Sequence, residues 1–143
     1  MNYLTKILFL IILLFAGPAN ASNNNFVGII GAAIGDIKNQ KNEKLTNGSK
    51  IFFGDTIISN SKSNAQILFL DQTVLTLGED TELTIDEFVY DLNSQDGSFI
   101  STVKTGTVKF ITGQISKKNP DNLEVKVPAG TLGARGTEFV VLS

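Results

Sequence analysis

The sequence predicts an all-β protein in which short strands, joined by tight glycine and aspartate turns, form a compact solenoid-like or sandwich-like stack. Turn signals recur about every 8 to 12 residues after residue 45, which is typical of all-β domains. The 143 residues include thirteen Gly and three Pro, and Thr, Val and Ile are frequent, a composition that favours strands and turns. No stretch of useful length has the i, i+3, i+4 apolar spacing of an amphipathic helix.

The composition excludes several classes of function. The chain has 12 basic and 14 acidic side chains without a block of like charge, so no surface for nucleic acid or acidic lipid is predicted. It contains neither Cys nor His, which removes thiolate chemistry and the commonest ligand for zinc, copper and iron. Its length argues for one folded domain. Carboxylates are therefore the only plausible catalytic set.

Residues 1–21 are predicted to be a secretory signal peptide. One positive charge precedes an apolar run at residues 7–16, and Ala19-Asn20-Ala21 supplies a small-x-small cleavage site. A membrane span needs about 20 apolar residues, so an uncleaved anchor is the less favoured alternative. Residues 22–25 are predicted to be a flexible polar tail, followed by one β-domain at 26–143. Cleavage after Ala21 would leave a soluble exported protein with no membrane span.

The individual strands follow from apolar runs between turn residues. They are predicted at residues 26–37, 50–53, 56–58, 65–70, 73–77, 82–86, 87–90, 98–104, 107–112, 123–127 and 138–142. Residues 65–70 are apolar on both faces, which predicts a central strand covered on each side. Leu83 and Ile85 alternate with polar residues, which predicts one buried and one exposed face. Residues 116–122 are predicted to be an exposed loop.

The most distinctive stretch is a glycine corner before the last predicted strand. It contains the chain's only arginine, Arg135, between Gly133 and Gly136, and continues as Thr137, Glu138 and Phe139. We expect the guanidinium to pin this corner by bonding carbonyls, Glu138 or a turn aspartate, a role worth about 2 kcal/mol if the side chain is buried. The alternative is that Arg135 contacts a ligand carboxylate or a partner strand.

Six carboxylates lie near predicted turns, namely Asp55, Asp71, Glu79, Asp80, Asp86 and Glu87. A pair of them about 5 to 10 Å apart would suit hydrolysis of a glycosidic bond, and several together would suit Ca²⁺. Carboxylates near turns more often form Asx turns or lie in solvent, and the spacing of an EF-hand loop is absent. We therefore predict no catalytic residue, no cofactor and no metal site. A carboxylate-dependent hydrolase of envelope polysaccharide remains the less favoured alternative.

Several segments resemble the FecR-type domain in sequence and in order. They are residues 48–57, with Gly54 and Asp55, residues 63–71, which end at Asp71, residues 76–86, with Gly78, and residues 106–113. The glycine corner within residues 127–139 is the most specific match, and the resemblance covers residues 26–141. Asp71-Gln72 stands where the family often has Asp-Gly, so a turn of more than two residues is expected there.

The resemblance implies a non-enzymatic all-β module that recognises or senses another envelope protein or a surface polymer. It also implies a location in the periplasm or outside a Gram-negative-type cell. The best-known members sense a TonB-dependent receptor and control a sigma factor, but no cytoplasmic domain is recognised here, so transcriptional control is not expected. The apolar residues 139–142 favour strand-edge pairing as the mechanism. A structural segment of a secreted array is the other alternative.

Overall fold

The computed structural model describes residues 26–143. The predicted signal peptide at 1–21 and polar tail at 22–25 lie outside the described residues. No helix within residues 26–143 has the length and apolar character needed to cross a bilayer. The described part is mostly β-structure, which confirms the all-β prediction.

Twelve strands, one α-helix and one 3₁₀-helix make up residues 26–143. In chain order they are β1 (Phe26–Ile34), β2 (Ile37–Asn39), β3 (Lys50–Phe52), β4 (Thr56–Ser59), β5 (Asn64–Phe69), β6 (Val74–Leu77), β7 (Thr81–Tyr90), β8 (Gly97–Thr105), β9 (Thr107–Ile111), α1 (Gln114–Lys118), the 3₁₀-helix (Pro120–Asn122), β10 (Leu123–Val127), β11 (Gly130–Gly133) and β12 (Glu138–Leu142).

The strands form two six-stranded sheets. Sheet 1 has the order β12-β9-β6-β5-β1-β3, and sheet 2 has the order β11-β10-β8-β7-β4-β2. Neighbouring strands are antiparallel except β8 and β10, which are parallel. Consecutive strands often belong to different sheets, and β11 and β12, joined by residues 134–137, are edge strands of the two sheets.

The two sheets share one hydrophobic core. The Phe69 ring of sheet 1 packs on the rings of Phe88 and Phe99 of sheet 2, with centroids 5.5 and 4.7 Å apart. The alternation predicted in β7 is confirmed, because Leu83 and Ile85 are buried while the residues between and after them are partly or fully exposed. The described strands form neither a closed barrel nor a solenoid.

The prediction that residues 65–70 are covered on both faces is wrong. β5 does lie inside sheet 1, between β1 and β6, but Leu68 and Leu70 are 37% and 45% exposed. No element of residues 26–143 covers the outer face of this sheet at those side chains. The apolar residues on both faces of β5 therefore predicted its position inside the sheet correctly, but they did not indicate a second layer over the outer face.

The longer turn expected at Asp71-Gln72 is confirmed. Residues 70–73 join β5 to β6, and among them only Gln72 has a positive φ, at 72°. The backbone N–H of Phe69 donates to the Thr73 carbonyl at 2.9 Å, and that of Gln72 donates to the Phe69 carbonyl at 3.0 Å. The resulting compact turn directs Asp71 into the protein, where it is fully buried.

The prediction of an exposed loop at residues 116–122 is confirmed for the exposure of residues 117–121 and wrong for the absence of regular structure. This stretch contains the end of α1 and the whole 3₁₀-helix, and Ser116 is buried. The cause lies one residue earlier, because Ile115 inserts into the core and is 1% exposed. A single apolar residue among polar ones was the sequence signal for this anchor.

A candidate interaction site around strand β12

Five of the six carboxylates accept hydrogen bonds from neighbouring turns and strands and do not converge on one place. Asp55 accepts from the Phe52 backbone N–H, Glu79 from the Lys62 backbone N–H, Asp80 from the Ser61 hydroxyl, Asp86 from the Thr102 hydroxyl and Glu87 from the Ser98 hydroxyl. Within residues 26–143, no three Asp or Glu side chains come together as a possible metal site. The bonds are those expected of side chains that close turns or brace strands.

Asp71 is the exception because it is buried and accepts hydrogen bonds from three donors. Its Oδ1 accepts from the Thr73 backbone N–H at 3.0 Å. Its Oδ2 accepts from the Thr73 hydroxyl at 2.8 Å and from the Ile115 backbone N–H at 3.3 Å. The Asp71 carboxylate therefore ties the β5–β6 turn to the first residues of α1.

Arg135 does not pin the glycine corner. The side chain is exposed, and within residues 26–143 its guanidinium makes no ion pair. Glu138, the expected partner, pairs instead with Lys109, with a distance of 2.8 Å between Lys109 Nζ and Glu138 Oε1. The register explains this pairing. Lys109 in β9 lies opposite Val140 in β12, so Lys109 is a diagonal neighbour of Glu138 on the same face of the sheet.

The corner is held by a threonine and a phenylalanine instead. The backbone N–H and the hydroxyl of Thr112 both donate to the Thr137 carbonyl, at 2.8 and 3.2 Å. The Phe139 ring stacks on the Phe110 ring with centroids 4.9 Å apart and planes 2° from parallel. Both contacts join β12 to β9 and its continuation, so the start of β12 is positioned without the arginine.

The backbone of β12 has one edge that no strand of residues 26–143 occupies. Gly106 and Ser143 exchange both of their backbone hydrogen bonds, at 3.1 and 2.9 Å. Bonded and non-bonded pairs alternate along an antiparallel ladder, so Phe139 and Val141 bond to β9 in the same way. The N–H and C=O groups of the intervening residues, Glu138, Val140 and Leu142, therefore point away from β9.

The other edge strands of the described residues are covered or short. Along β2, the Asn39 and Leu45 backbone N–H groups bond to the Glu43 and Ile37 carbonyls, at 3.0 and 2.8 Å. On β3, the Asp55 carboxylate occupies the Phe52 N–H at 2.9 Å, and β11 has four residues of which two are glycines.

Strand β12 lacks most of the features that protect an edge, since its one charged residue is Glu138, which is paired with Lys109. It has five residues and contains no Gly, Pro or Lys. Val140 and Leu142 are 56% and 74% exposed. Natural proteins guard sheet edges with charge, proline or covering segments. Among the four edge strands of the described fold, β12 is the longest, and only Glu138 guards it.

A crevice of about 230 Å³ lies next to the start of β12. It lies between residues 112–120 and residues 134–137, the segment that joins β11 to β12. Its walls consist of Thr112, Ser116, Lys117, Pro120, Ala134, Gly136 and Thr137. Arg135 stands between two of these wall residues. Among the described residues neither Lys117 nor Arg135 is in an ion pair.

The neighbouring Lys118 is engaged elsewhere. Its ammonium group lies 2.9 Å from the Asp96 carboxylate and donates to the Ser94 carbonyl at 2.5 Å. The hydrogen bond from Lys118, and then its charge, lower the pKa of Asp96 below the ordinary value of 3.8. Of the three cations in the segments that border the crevice, Lys117 and Arg135 are therefore the two that make no ion pair among the described residues.

The residues of this site lie within the part of the chain that one family model matches. The family model described as FecR protein matches residues 55–143. The chain belongs to the FecR family. No curated protein and no solved structure matches it. FecR proteins are associated with the cell envelope, and a FecR domain indicates a module related to sensing or signalling.

The residues predicted from the sequence fall into three regions of this FecR domain. Gly54 and Asp55 form the turn between β3 and β4, at the edges of the sheets opposite to β11 and β12. Gly78 lies after β6, where its N–H donates to the Thr107 carbonyl at 2.9 Å. The other residues, Asp71, Gly133, Arg135, Gly136, Thr137, Glu138 and Phe139, belong to the β12 end or to the turn that supports it.

Sequence reasoning missed the wall of the crevice that lies opposite the corner. Thr112, Ser116 and Lys117 belong to it, and their approach to residues 134–137 depends on the pairing of β9 with β12. That pairing joins segments distant in sequence. The only sequence signal for this wall was Ile115, a single apolar residue among polar ones, which the structure buries.

Proposed function

We propose that this FecR domain is an exported, non-enzymatic recognition module that binds another protein of the cell envelope by adding a partner strand to β12. The observation that carries the proposal is the set of outward backbone groups on Glu138, Val140 and Leu142. An extended segment can complete such an edge with main-chain hydrogen bonds while its side chains supply specificity. Membership of an envelope-associated family supports the cellular setting.

The chemistry of the edge favours a protein strand as the occupant. Each main-chain hydrogen bond contributes about 0.5 to 1.5 kcal/mol, and the outward groups of three residues provide up to six such bonds. Val140 and Leu142 present exposed apolar side chains on the same face, beside the partly exposed Ile111 of the neighbouring strand. A partner with alternating apolar residues would gain both kinds of contact.

A proline substitution at Val140 tests the proposal. The Val140 N–H points away from β9, so Val140→Pro removes an outward donor without breaking the ladder that holds β12, and edge strands tolerate such prolines. Val140→Thr is the matched control, because it keeps the N–H and the β-branched shape. The exported domain and its two variants would be cross-linked in envelope extracts, and the retained proteins quantified.

We expect the parent and Val140→Thr to retain the same proteins and Val140→Pro to lose them. An unchanged set of cross-linked proteins with the proline variant would overturn edge pairing. A surface polymer as ligand, or a purely structural role in a secreted array, predicts that unchanged result, since neither requires the outward N–H groups of β12.

A further inference from the structure

Two cations without an ion pair among the described residues belong to the segments that border the crevice. Lys117 is a wall residue, and Arg135 is flanked by the wall residues Ala134 and Gly136. The walls carry no carboxylate. Asp121 and Glu138 each directly follow a wall residue, and the Glu138 carboxylate is paired with Lys109. Ser116, 4% exposed, and Thr137 add hydroxyl-bearing side chains to the walls. A guanidinium binds a carboxylate through two parallel hydrogen bonds.

The position of the crevice distinguishes the two directions in which a partner strand could pair. Gly136 and Thr137 directly precede β12, so the crevice lies at the N-terminal end of that strand. An antiparallel partner would bring its C-terminal end to this place, and a parallel partner would bring its N-terminal end. Two nearby cations attract a terminal carboxylate and repel a terminal ammonium group.

The size of the crevice limits what it can hold. At about 230 Å³ it is smaller than the roughly 300 to 1,000 Å³ of sites for drug-sized ligands. It suits a single terminal residue better than a chain that continues. The walls at residues 116–120 come from two helical turns whose position is fixed by Ile115 and Asp71, so the crevice is built on an anchored support.

We propose that the partner strand runs antiparallel to β12 and ends at the crevice, where its C-terminal carboxylate binds Arg135 with support from Lys117. This inference rests on the proposed edge pairing and adds the direction and the terminal chemistry of the partner. It also assigns a role to the arginine that the fold does not use. Capture of a C-terminal carboxylate is a known way for proteins to recognise extended peptides.

A peptide library tests the direction and the chemistry together. Octapeptides with alternating apolar and polar residues, tethered at the N-terminus, would each be made with a free C-terminal carboxylate and with a C-terminal amide. The exported domain would be applied to both forms, and dissociation constants measured for the bound sequences. We expect amidation to weaken binding roughly tenfold or more, as for the loss of a charged hydrogen-bonding partner.

Three variants separate the contributions. Arg135→Ala is expected to bind the carboxylate form only as tightly as the amide form, while Val140→Pro is expected to bind neither form. Lys41→Ala removes the same charge from an exposed position in the loop after β2, at the opposite edges of the sheets, and is expected to bind like the parent. Circular dichroism would check that each variant is folded.

The outcomes distinguish the two proposals. Equal affinity for carboxylate and amide forms, with no effect of Arg135→Ala, would overturn the terminal-carboxylate inference and leave edge pairing intact. Equal losses from Arg135→Ala and Lys41→Ala would also overturn it, because the effect would then be one of net charge. If no peptide binds, or if Val140→Pro binds as well as the parent, edge pairing and the inference both fail.

Discussion

Gly113 lies so close to Asp71 that a Cβ atom added at Gly113 would stand 2.3 Å from the Asp71 carbonyl oxygen. The same atom would stand 2.4 Å from the Thr73 backbone nitrogen. The Gly113 N–H donates to the Thr73 hydroxyl at 3.2 Å, and the Gln114 N–H donates to the Asp71 carbonyl at 2.7 Å. The backbone after β9 is thus packed directly on the β5–β6 turn, and this contact positions the wall of the crevice.

Replacement of Gly113 by alanine should therefore destabilise the domain by about 3 kcal/mol, because backbone rather than a flexible side chain would have to move. Gly133→Ala is the matched control. An added Cβ at Gly133 meets no atom within 4 Å, so the free energy of unfolding should stay within about 0.5 kcal/mol of the parent. Urea unfolding monitored by circular dichroism measures both. Equal stability of the two variants would contradict the close packing.

Asp71→Asn should cost about 2 to 3 kcal/mol of unfolding free energy. The amide retains one oxygen but presents an N–H₂ group to donors that now bond to a carboxylate, so at least one buried donor loses its acceptor. Asp121→Asn is the control, because that side chain is exposed. Urea unfolding of the two variants at neutral pH provides the comparison, and a loss of the same size at Asp121 would refute a special role for the buried carboxylate.

The last strand was predictable from the sequence, and the role of its neighbouring arginine was not. The bounds of β12 agree with the predicted residues 138–142, because the glycine corner before it and the apolar run within it are local signals. The partner of Glu138 depends on the register of β12 against β9, which joins segments far apart in the chain. α1 was missed for the same reason, since its anchor is a bond from Ile115 to the distant Asp71.

Arg135→Ala should leave the stability of the domain unchanged, within about 0.5 kcal/mol. The sequence favoured a pin and a loss of stability, but the exposed guanidinium makes no ion pair within residues 26–143. Phe139→Ala should in contrast cost about 3 kcal/mol, because it removes the ring stacked on Phe110. Thermal unfolding of the two variants separates these contributions. A large decrease in the melting temperature of Arg135→Ala would show that the arginine does hold the glycine corner in place.

The pair of Lys118 and Asp96 should give a small pH dependence at this end of the fold. The pKa of Asp96 is lowered by the hydrogen bond and then by the charge of Lys118. A lowered carboxyl pKa in the folded state means that the pair stabilises the protein above the ordinary value of 3.8 and that this contribution disappears as pH falls through the folded-state pKa. Lys118→Met should therefore raise the pKa of Asp96 towards 3.8.

Titration of the Asp96 carboxyl carbon by NMR measures this shift directly. Lys117→Met is the matched control, because Lys117 makes no ion pair among the described residues, and it should leave the pKa of Asp96 where it is in the parent. If both lysine variants raised the pKa of Asp96 equally, the two cations would be interchangeable, and the division between an engaged Lys118 and an available Lys117 would be wrong.

Hydrogen exchange along β12 should alternate from residue to residue. The amides of Phe139 and Val141 point to β9 and should exchange slowly, while those of Val140 and Leu142 point to solvent and should exchange rapidly. NMR spectra recorded after transfer to D₂O report each amide separately. Addition of a carboxylate-ended peptide selected by the domain should slow exchange at Val140 and Leu142 and leave Val141 little changed, because only the outward groups gain a partner. Slow exchange at all four amides before any peptide is added would show that the edge is already covered, and a strand could not then dock there.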